Sequence, residues 1–134
     1  MVERIFPAKV EELDNVTAFI EEECEKIDCP IKEQMQINIA LEEMFVNVAS
    51  YAYHPEDGLV EVQVSGEDKT LTISLIDTGT PYNPLAKEDP DITLEASDRP
   101  IGGLGIFMTK KIMDEVDYKF EDGKNIFTMK KKVG

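Results

Sequence analysis

The sequence has 134 residues, of which 42% are hydrophobic and 31% are charged, a balance typical of a soluble globular domain. Its formal net charge of −14 argues against a direct nucleic-acid partner, because such a surface needs a cationic footprint. No run of apolar residues exceeds three, which argues against a membrane span or a signal-peptide core. We therefore expect one cytoplasmic domain over 1–134, with no membrane partner.

Two amphipathic helices are predicted in the first half of the chain. The first spans 8–27, and its apolar stripe is Val10, Leu13, Val16 (or Thr17) and Ile20. The second runs from Pro30 to about Ala52, and its stripe is Ile37, Leu41, Met44 and Val48. Cys24 and Cys29 match no redox or metal-binding spacing, so we expect two free buried thiols.

The hydrophobic period then changes to that of strands. "LVEVQVS" and "TLTISLID" alternate apolar and polar residues around "GEDK", which predicts an antiparallel hairpin. A helix from Leu104 to about Val116 is expected to bury Ile106, Met108 (or Thr109), Ile112 and Met113. "YKF", "EDGKN" and "IFTMKKKV" predict a second hairpin. This order favours an α+β fold, a two-layer sandwich with helices on one face of a mixed or antiparallel sheet.

Two acidic residues, Glu43 and Asp77, could take part in catalysis or ligand binding. Glu43 and Asn47 lie four residues apart on the second helix, so their side chains project from neighbouring turns. A carboxylate can accept a proton and an amide oxygen suits Mg²⁺, although a solvated helix face has the same pattern.

Asp77 keeps phase with the apolar residues of its strand, where an ionised carboxylate needs a hydrogen-bond donor. That donor could be a ligand amine, or the backbone of an ordinary turn. Gly79 would let a planar ring approach the backbone.

A glycine cluster, "GGLG" at 102–105, opens the predicted third helix. Backbone N–H groups at a helix start bind phosphate without net positive charge, and Arg99, Lys110 and Lys111 could add local cations. The cluster fits neither the dinucleotide nor the Walker pattern. The preceding segment, 82–101, holds three prolines and no sustained period, and a loop of that length is usually functional or disordered. His54, the only histidine, is expected in an exposed turn, which argues against a histidine-based nucleophilic mechanism.

The order of these motifs resembles the histidine-kinase-like ATPase superfamily, and more closely its small anti-sigma factor serine/threonine kinases. The matching stretches are E-x-x-x-N at 43–47, "DTGTPYNP" at 77–84 and "GGLGIFMTKKIMDEVDY" at 102–118. The resemblance extends from about Ile37 to Lys131.

The resemblance implies a role for each matching position. Asn47 would bind Mg²⁺, and Glu43 would act as the general base. Asp77 would accept a hydrogen bond from adenine, with Gly79 leaving room for the ring. Residues 82–101 would form a lid over ATP. The nucleotide-binding set implied by the resemblance also includes Arg99, Gly102, Gly103, Leu104, Gly105 and Thr128.

By the same resemblance, the chain would be an Mg²⁺-dependent protein kinase. It would phosphorylate an anti-sigma factor antagonist, sequester a sigma factor and form a homodimer. Two alternatives remain at this point: an ATP-dependent binding module without phosphotransfer, and an acidic α+β domain in which these residues are purely structural.

Overall fold

The computed structural model of the protein describes residues 2–49, 58–79 and 103–133. Its elements along the chain are β1 (Val2–Pro7), a 3₁₀ turn (Val10–Glu12), α1 (Leu13–Lys26), α2 (Ile31–Asn47), β2 (Leu59–Glu67), β3 (Thr70–Asp77), α3 (Gly103–Ile112), β4 (Glu115–Glu121) and β5 (Lys124–Lys132). The five strands form one sheet in the order β1-β2-β3-β5-β4. Every described pair of neighbours is antiparallel, which confirms the predicted α+β fold.

A single hydrophobic core lies between the helices and one face of the sheet. Alternate residues of each central strand are buried there, and the helices contribute the facing side chains. The strand members include Val62, Ile73, Leu75, Phe127 and Met129, and the helix members include Val16, Ile20, Ile37, Leu41 and Phe45. The two-residue period of the strands places the residues between them on the opposite face, which completes the predicted two-layer arrangement.

Both hairpins turn on two residues with positive φ. Asp68 and Lys69 have φ values of 50° and 58°, and Asp122 and Gly123 have values of 53° and 76°. Tight hairpin turns favour such dihedrals because their twist matches that of the flanking strands. Gly66, although it belongs to the predicted turn "GEDK", lies inside β2 and pairs with Leu71.

Gly66 leaves space for a side chain of the α1–α2 connection. A Cβ at this position would lie 2.8 Å from Cγ2 of Ile27, a methyl group on a stiff β-branched carbon. We expect Gly66→Ala to lower the free energy of unfolding by about 1–3 kcal/mol through overpacking. Urea unfolding of this variant, Ile27→Ala and the double variant checks it. The loss of unfolding free energy in the double variant should be smaller than the sum of the losses in the two single variants. Losses that simply add would contradict this contact.

The connection from α1 to α2 has the hydrogen bonds of a Schellman motif. Asp28 adopts a φ of 55°, its N–H donates to Glu25 O at 3.2 Å, and Cys29 N–H donates to Cys24 O at 2.9 Å. This motif usually brings together the two side chains that here belong to Cys24 and Cys29. Both are buried and unpaired by disulfide, as the sequence predicts, and burial is the largest cause that raises the pKa of Cys24, to about 12.

Three features differ from the sequence predictions. β1 was not predicted, because its charged residues hide a six-residue edge strand. Val10 was expected in the first helix stripe, but it is half exposed in the 3₁₀ turn, and α1 begins at Leu13. α3 ends at Ile112 rather than near Val116. The α-helical part of α2 ends at Asn47 and a π turn continues over 48–49, while the rest of the predicted helix, to about Ala52, lies outside the described residues. The early end of α3 frees Asp114 N–H to donate to Lys130 O at 2.9 Å, where β4 starts. None of the described helices has the length and apolar character of a membrane span.

Candidate nucleotide-binding site

Asp77 is a buried carboxylate at the carboxyl end of β3. It follows Leu71, Ile73 and Leu75 in the alternation of the strand, and only 4% of its surface is exposed. The predicted position on the core face is therefore confirmed. An ionised group at this depth is unfavourable unless its oxygens receive hydrogen bonds.

Two donors converge on one oxygen of Asp77. Asn125 Nδ2 and the backbone N–H of Gly79 each donate to Oδ1 at 2.9 Å. Within 2–49, 58–79 and 103–133, no hydrogen bond reaches the second oxygen, Oδ2. The site thus holds the carboxylate in a fixed orientation and leaves a buried acceptor for a ligand donor.

The environment of Asp77 favours its protonated form relative to a free aspartate. Burial raises the pKa of the carboxyl group, while the hydrogen bonds from Asn125 and Gly79 oppose that shift. Burial is the larger cause, so the carboxylate is maintained at a cost to folding. Such a cost is common at positions selected for binding.

Asn125 is the residue of this site that the sequence reasoning missed. It stands directly across from Asp77 in the β3–β5 ladder and is itself buried. Its Nδ2 also lies 3.3 Å from Gly79 O, and the hydroxyl of Tyr118 donates to its Oδ1. The signal was present in "NIFTM", because Asn125 keeps phase with the buried Phe127 and Met129.

Removing Asn125 should weaken the site in a pH-dependent way. We expect Asn125→Ala to lower the free energy of unfolding by about 2–3 kcal/mol at pH 7, because it removes a donor to a buried carboxylate. The loss should be smaller near pH 4 than at pH 7, because the raised pKa of Asp77 makes a larger fraction of it protonated at the lower pH, and a protonated carboxyl group attracts the donor less strongly.

Tyr118→Phe provides the matched control for this variant. It removes the hydrogen bond from Tyr118 to Asn125 but leaves the Asp77 hydrogen bonds in place, so a loss of about 1 kcal/mol is expected. Urea unfolding at both pH values compares the two variants. Equal, pH-independent losses would contradict the assigned role of Asn125.

Thr128 is not brought to Asp77 by the fold. It lies across from Ser74, and the two hydroxyl oxygens are 3.1 Å apart. Both residues alternate with buried neighbours, so they occupy the sheet face opposite to the helices. We therefore leave Thr128 out of the candidate site, and Asn125 is the polar β5 residue beside Asp77.

Glu43 and Asn47 occupy the last turns of α2. Glu43 is exposed and Asn47, the final residue of the helix, is partly buried. The other side of α2 packs into the core, on the same sheet face as Asp77. Among the described residues, no hydrogen bond joins Glu43 or Asn47 to Asp77. The two side chains follow one another along the helix, as the spacing predicts.

The glycine cluster lies at the start of α3, which begins at Gly103. Its first turn, including Leu104 and Gly105, carries no acidic residue, so the positive end of the helix dipole is not opposed there. Lys110 and Lys111 lie in the last turn, about 10 Å from Gly103 along the helix axis, which removes them from the phosphate site proposed for the cluster. Arg99, Gly102, the predicted lid 82–101 and His54 lie outside the described residues.

A ready-made cage for a metal ion is absent from the described part of the chain. No group of three or more His, Cys, Asp or Glu side chains converges there. Mg²⁺ does not require such a group, because it commonly binds one or two protein oxygens together with phosphates and water. The amide oxygen of Asn47 has the right chemistry for a ligand of that kind.

Comparison with known proteins places these features in a family. The histidine kinase-like ATPase domain family matches residues 6–131. An anti-sigma F factor of Clostridium acetobutylicum is 26% identical over 80% of this chain and 76% of its own length. A serine-protein kinase RsbW of Listeria monocytogenes is 26% identical over 70% of this chain and 63% of its own length. Another RsbW, from Bacillus mycoides, is 22% identical over 96% and 83% respectively.

Solved structures show the same fold. A Mycobacterium tuberculosis chain with RsbU and RsbW domains superposes with a TM-score of 0.66 and 17% identity, covering 99% of this chain and 33% of its own. The catalytic domain of the histidine kinase ThkA, in a nucleotide-free form, gives a TM-score of 0.57 at 16% identity, with 99% and 98% covered. Since the family match spans nearly the whole chain, this protein belongs to the histidine kinase-like ATPase domain family.

Proposed function

We propose that this chain is an Mg²⁺-ATP-dependent serine/threonine kinase that acts as an anti-sigma factor and phosphorylates an anti-sigma factor antagonist. The observation that carries the nucleotide part is the buried Asp77, with Oδ1 fixed by two donors and Oδ2 left as an acceptor. The relatives named anti-sigma F factor and serine-protein kinase support the remainder.

Asp77 would recognise the base. An exocyclic amino group, as in adenine, can donate to Oδ2, whereas guanine presents a carbonyl oxygen at the equivalent position and would repel the carboxylate. Gly79, held by Asp77 and Asn125, would let the ring lie close to the backbone. The site would therefore select ATP over GTP.

The phosphates would lie at the start of α3. The N–H groups of Gly103, Leu104 and Gly105 belong to the first turn, whose N–H groups have no acceptor within the helix itself, and Gly102 would extend this set. Arg99 would add a positive charge to the same group. Asn47 would hold Mg²⁺, which neutralises phosphate charge when bound.

Glu43 would act on the substrate hydroxyl. As the serine or threonine oxygen attacks the γ-phosphorus, its proton passes to the Glu43 carboxylate and the bond to the β-phosphate oxygen breaks, releasing ADP. The exposure of Glu43 suits this role, because a protein substrate must reach it from solvent.

A phosphotransfer assay tests the proposal. The purified protein is incubated with [γ-³²P]ATP and a candidate anti-sigma factor antagonist from the same organism, and label on a serine or threonine of the antagonist is expected. ATP binding without label would instead support an ATP-dependent binding module. The expected homodimer is a separate prediction, which sedimentation analysis checks.

A further inference from the structure

Three large apolar side chains are exposed along the outer side of α2. Ile31, Met35 and Ile39 are 73%, 61% and 46% exposed, although side chains of this type are usually buried. They lie four residues apart, so they form one continuous ridge along the helix. We call these three residues the α2 ridge.

The α2 ridge leads directly to the proposed general base. The next two positions at the same spacing are Glu43 and Asn47, the two residues assigned to chemistry on this helix. Ile39 and Glu43 are separated by one turn, about 6 Å along the axis. A chain bound along the ridge would therefore extend toward Glu43.

The two helices around the ridge carry an excess of acidic side chains. α2 itself has Glu33, Glu42 and Glu43 against Lys32, a net charge of −2. Residues 13–30, which hold α1 and its connection to α2, add a net charge of −5. Glu42 is exposed beside the ridge, and the hydrogen bond from Asn38 Nδ2 to Glu21 at 3.2 Å joins the acidic helix α1 to its flank.

We propose that the α2 ridge is the docking site for an amphipathic, lysine- or arginine-flanked segment of the protein substrate. The apolar residues of that segment would cover Ile31, Met35 and Ile39, and its cations would face the acidic flanks. A second copy of this chain is disfavoured, because a symmetric contact would place two α2 helices of net charge −2, each beside an acidic α1, against each other. This inference deepens the proposed kinase function and rests on it for the identity of the partner.

The first test uses a synthetic probe rather than the natural partner. The probe is a fluorescein-labelled peptide of about 16 residues, with leucines at i, i+4 and i+8 and flanking lysines, long enough to form a helix. We expect it to bind the wild-type protein, and affinity should fall about tenfold or more for Ile31→Gln/Met35→Gln/Ile39→Gln. A peptide with the same leucines and glutamates in place of lysines should not bind.

Matched variants separate docking from general charge attraction and from misfolding. Ile5→Gln changes an equally exposed isoleucine on β1, at 61% exposure, and should leave peptide affinity unchanged. Met35→Gln alone changes one side chain and should give an intermediate loss. Equal peptide affinity for the wild type and the folded triple variant would overturn the proposal. So would a wild-type dimer that the triple variant converts to monomers, because the ridge would then bind a second copy.

Phosphorylation of the antagonist gives the second measurement. The triple variant should raise the KM for the antagonist about tenfold or more with little change in kcat, while its ATP affinity stays at the wild-type value. If the peptide binds the ridge but no label reaches any antagonist, the proposed function fails and the docking site stands. Unchanged KM in the triple variant would instead reject the ridge as a substrate site.

Discussion

Asp77→Asn is expected to lower the affinity for Mg²⁺-ATP on the order of 100-fold. The new amide oxygen can still accept from Asn125 and Gly79, which places the amide NH₂ where Oδ2 was. A donor then faces the donor amino group of adenine, and the hydrogen bond is lost. Isothermal titration calorimetry with Mg²⁺-ATP measures the change. Wild-type ATP affinity in this variant would exclude Asp77 from base recognition and would favour the alternative in which Asp77 has a purely structural role.

The same variant has a predicted stability signature. Because burial raises the pKa of Asp77 in the folded protein, the folded state binds this proton more tightly than the unfolded chain does. The contribution to stability is present below the unfolded pKa of about 3.9 and is lost as the pH rises through the folded value. The asparagine of the Asp77→Asn variant does not ionise, so this variant does not lose stability in that way as the pH rises.

Urea unfolding between pH 4 and pH 8 checks that signature. The free energy of unfolding of Asp77→Asn, relative to the wild type, should increase as the pH rises over this window and then level off. A relative stability that falls with increasing pH would contradict the raised pKa. Together with the calorimetry, this result would show that a residue unfavourable for folding is required for binding.

Glu43→Gln is expected to lower kcat for phosphorylation of the antagonist by about 10²–10⁴-fold, the usual contribution of a general base. ATP affinity should change little, because the substitution keeps the shape of the side chain and lies on an exposed helix surface. Initial rates with labelled ATP and the antagonist give kcat and KM separately.

Glu42→Gln is the matched control for this variant. It makes the same change of charge at the adjacent exposed position, about 100° around the helix, and should retain nearly the full kcat, with any effect of the lost flank charge confined to KM. Equal rates for the two variants would remove Glu43 from the mechanism. A normal rate of sigma-factor binding without phosphotransfer in the wild type would favour the binding-module alternative.

Periodicity identified most of the elements because buried residues recur at every second position in the strands and at every third or fourth position in the helices. β2 and β3 expose one face to the helices, so Val62, Ile73 and Leu75 recur at every second position. The same reasoning found the buried position of Asp77. It could not find β1, since an edge strand such as "VERIFP" carries charges and buries few side chains.

Strand register explains why the sequence reasoning missed Asn125 and selected Thr128 on β5. A polar residue in one strand does not reveal which residue of another strand lies beside it, because that depends on pairing. The ladder places Asn125, not Thr128, across from Asp77. In α3, the helical period continued into "MDEV", but pairing of β4 with β5 ends the helix at Ile112. Tertiary pairing therefore overrode the local pattern.

The sequence alone determined the α+β class, the helical spacing of Glu43 and Asn47, the buried phase of Asp77 and the helix that follows the glycine cluster. Each of these depends on residues close together in the chain, and local periodicity encodes them. Only the tertiary structure decided that Asn125 fixes Oδ1 of Asp77, that Gly66 accommodates Ile27, and that Ile31, Met35 and Ile39 remain exposed. These features depend on which segments far apart in the chain pack against each other and which stay exposed. That is decided by the packing of the sheet and its helices, not by the local sequence.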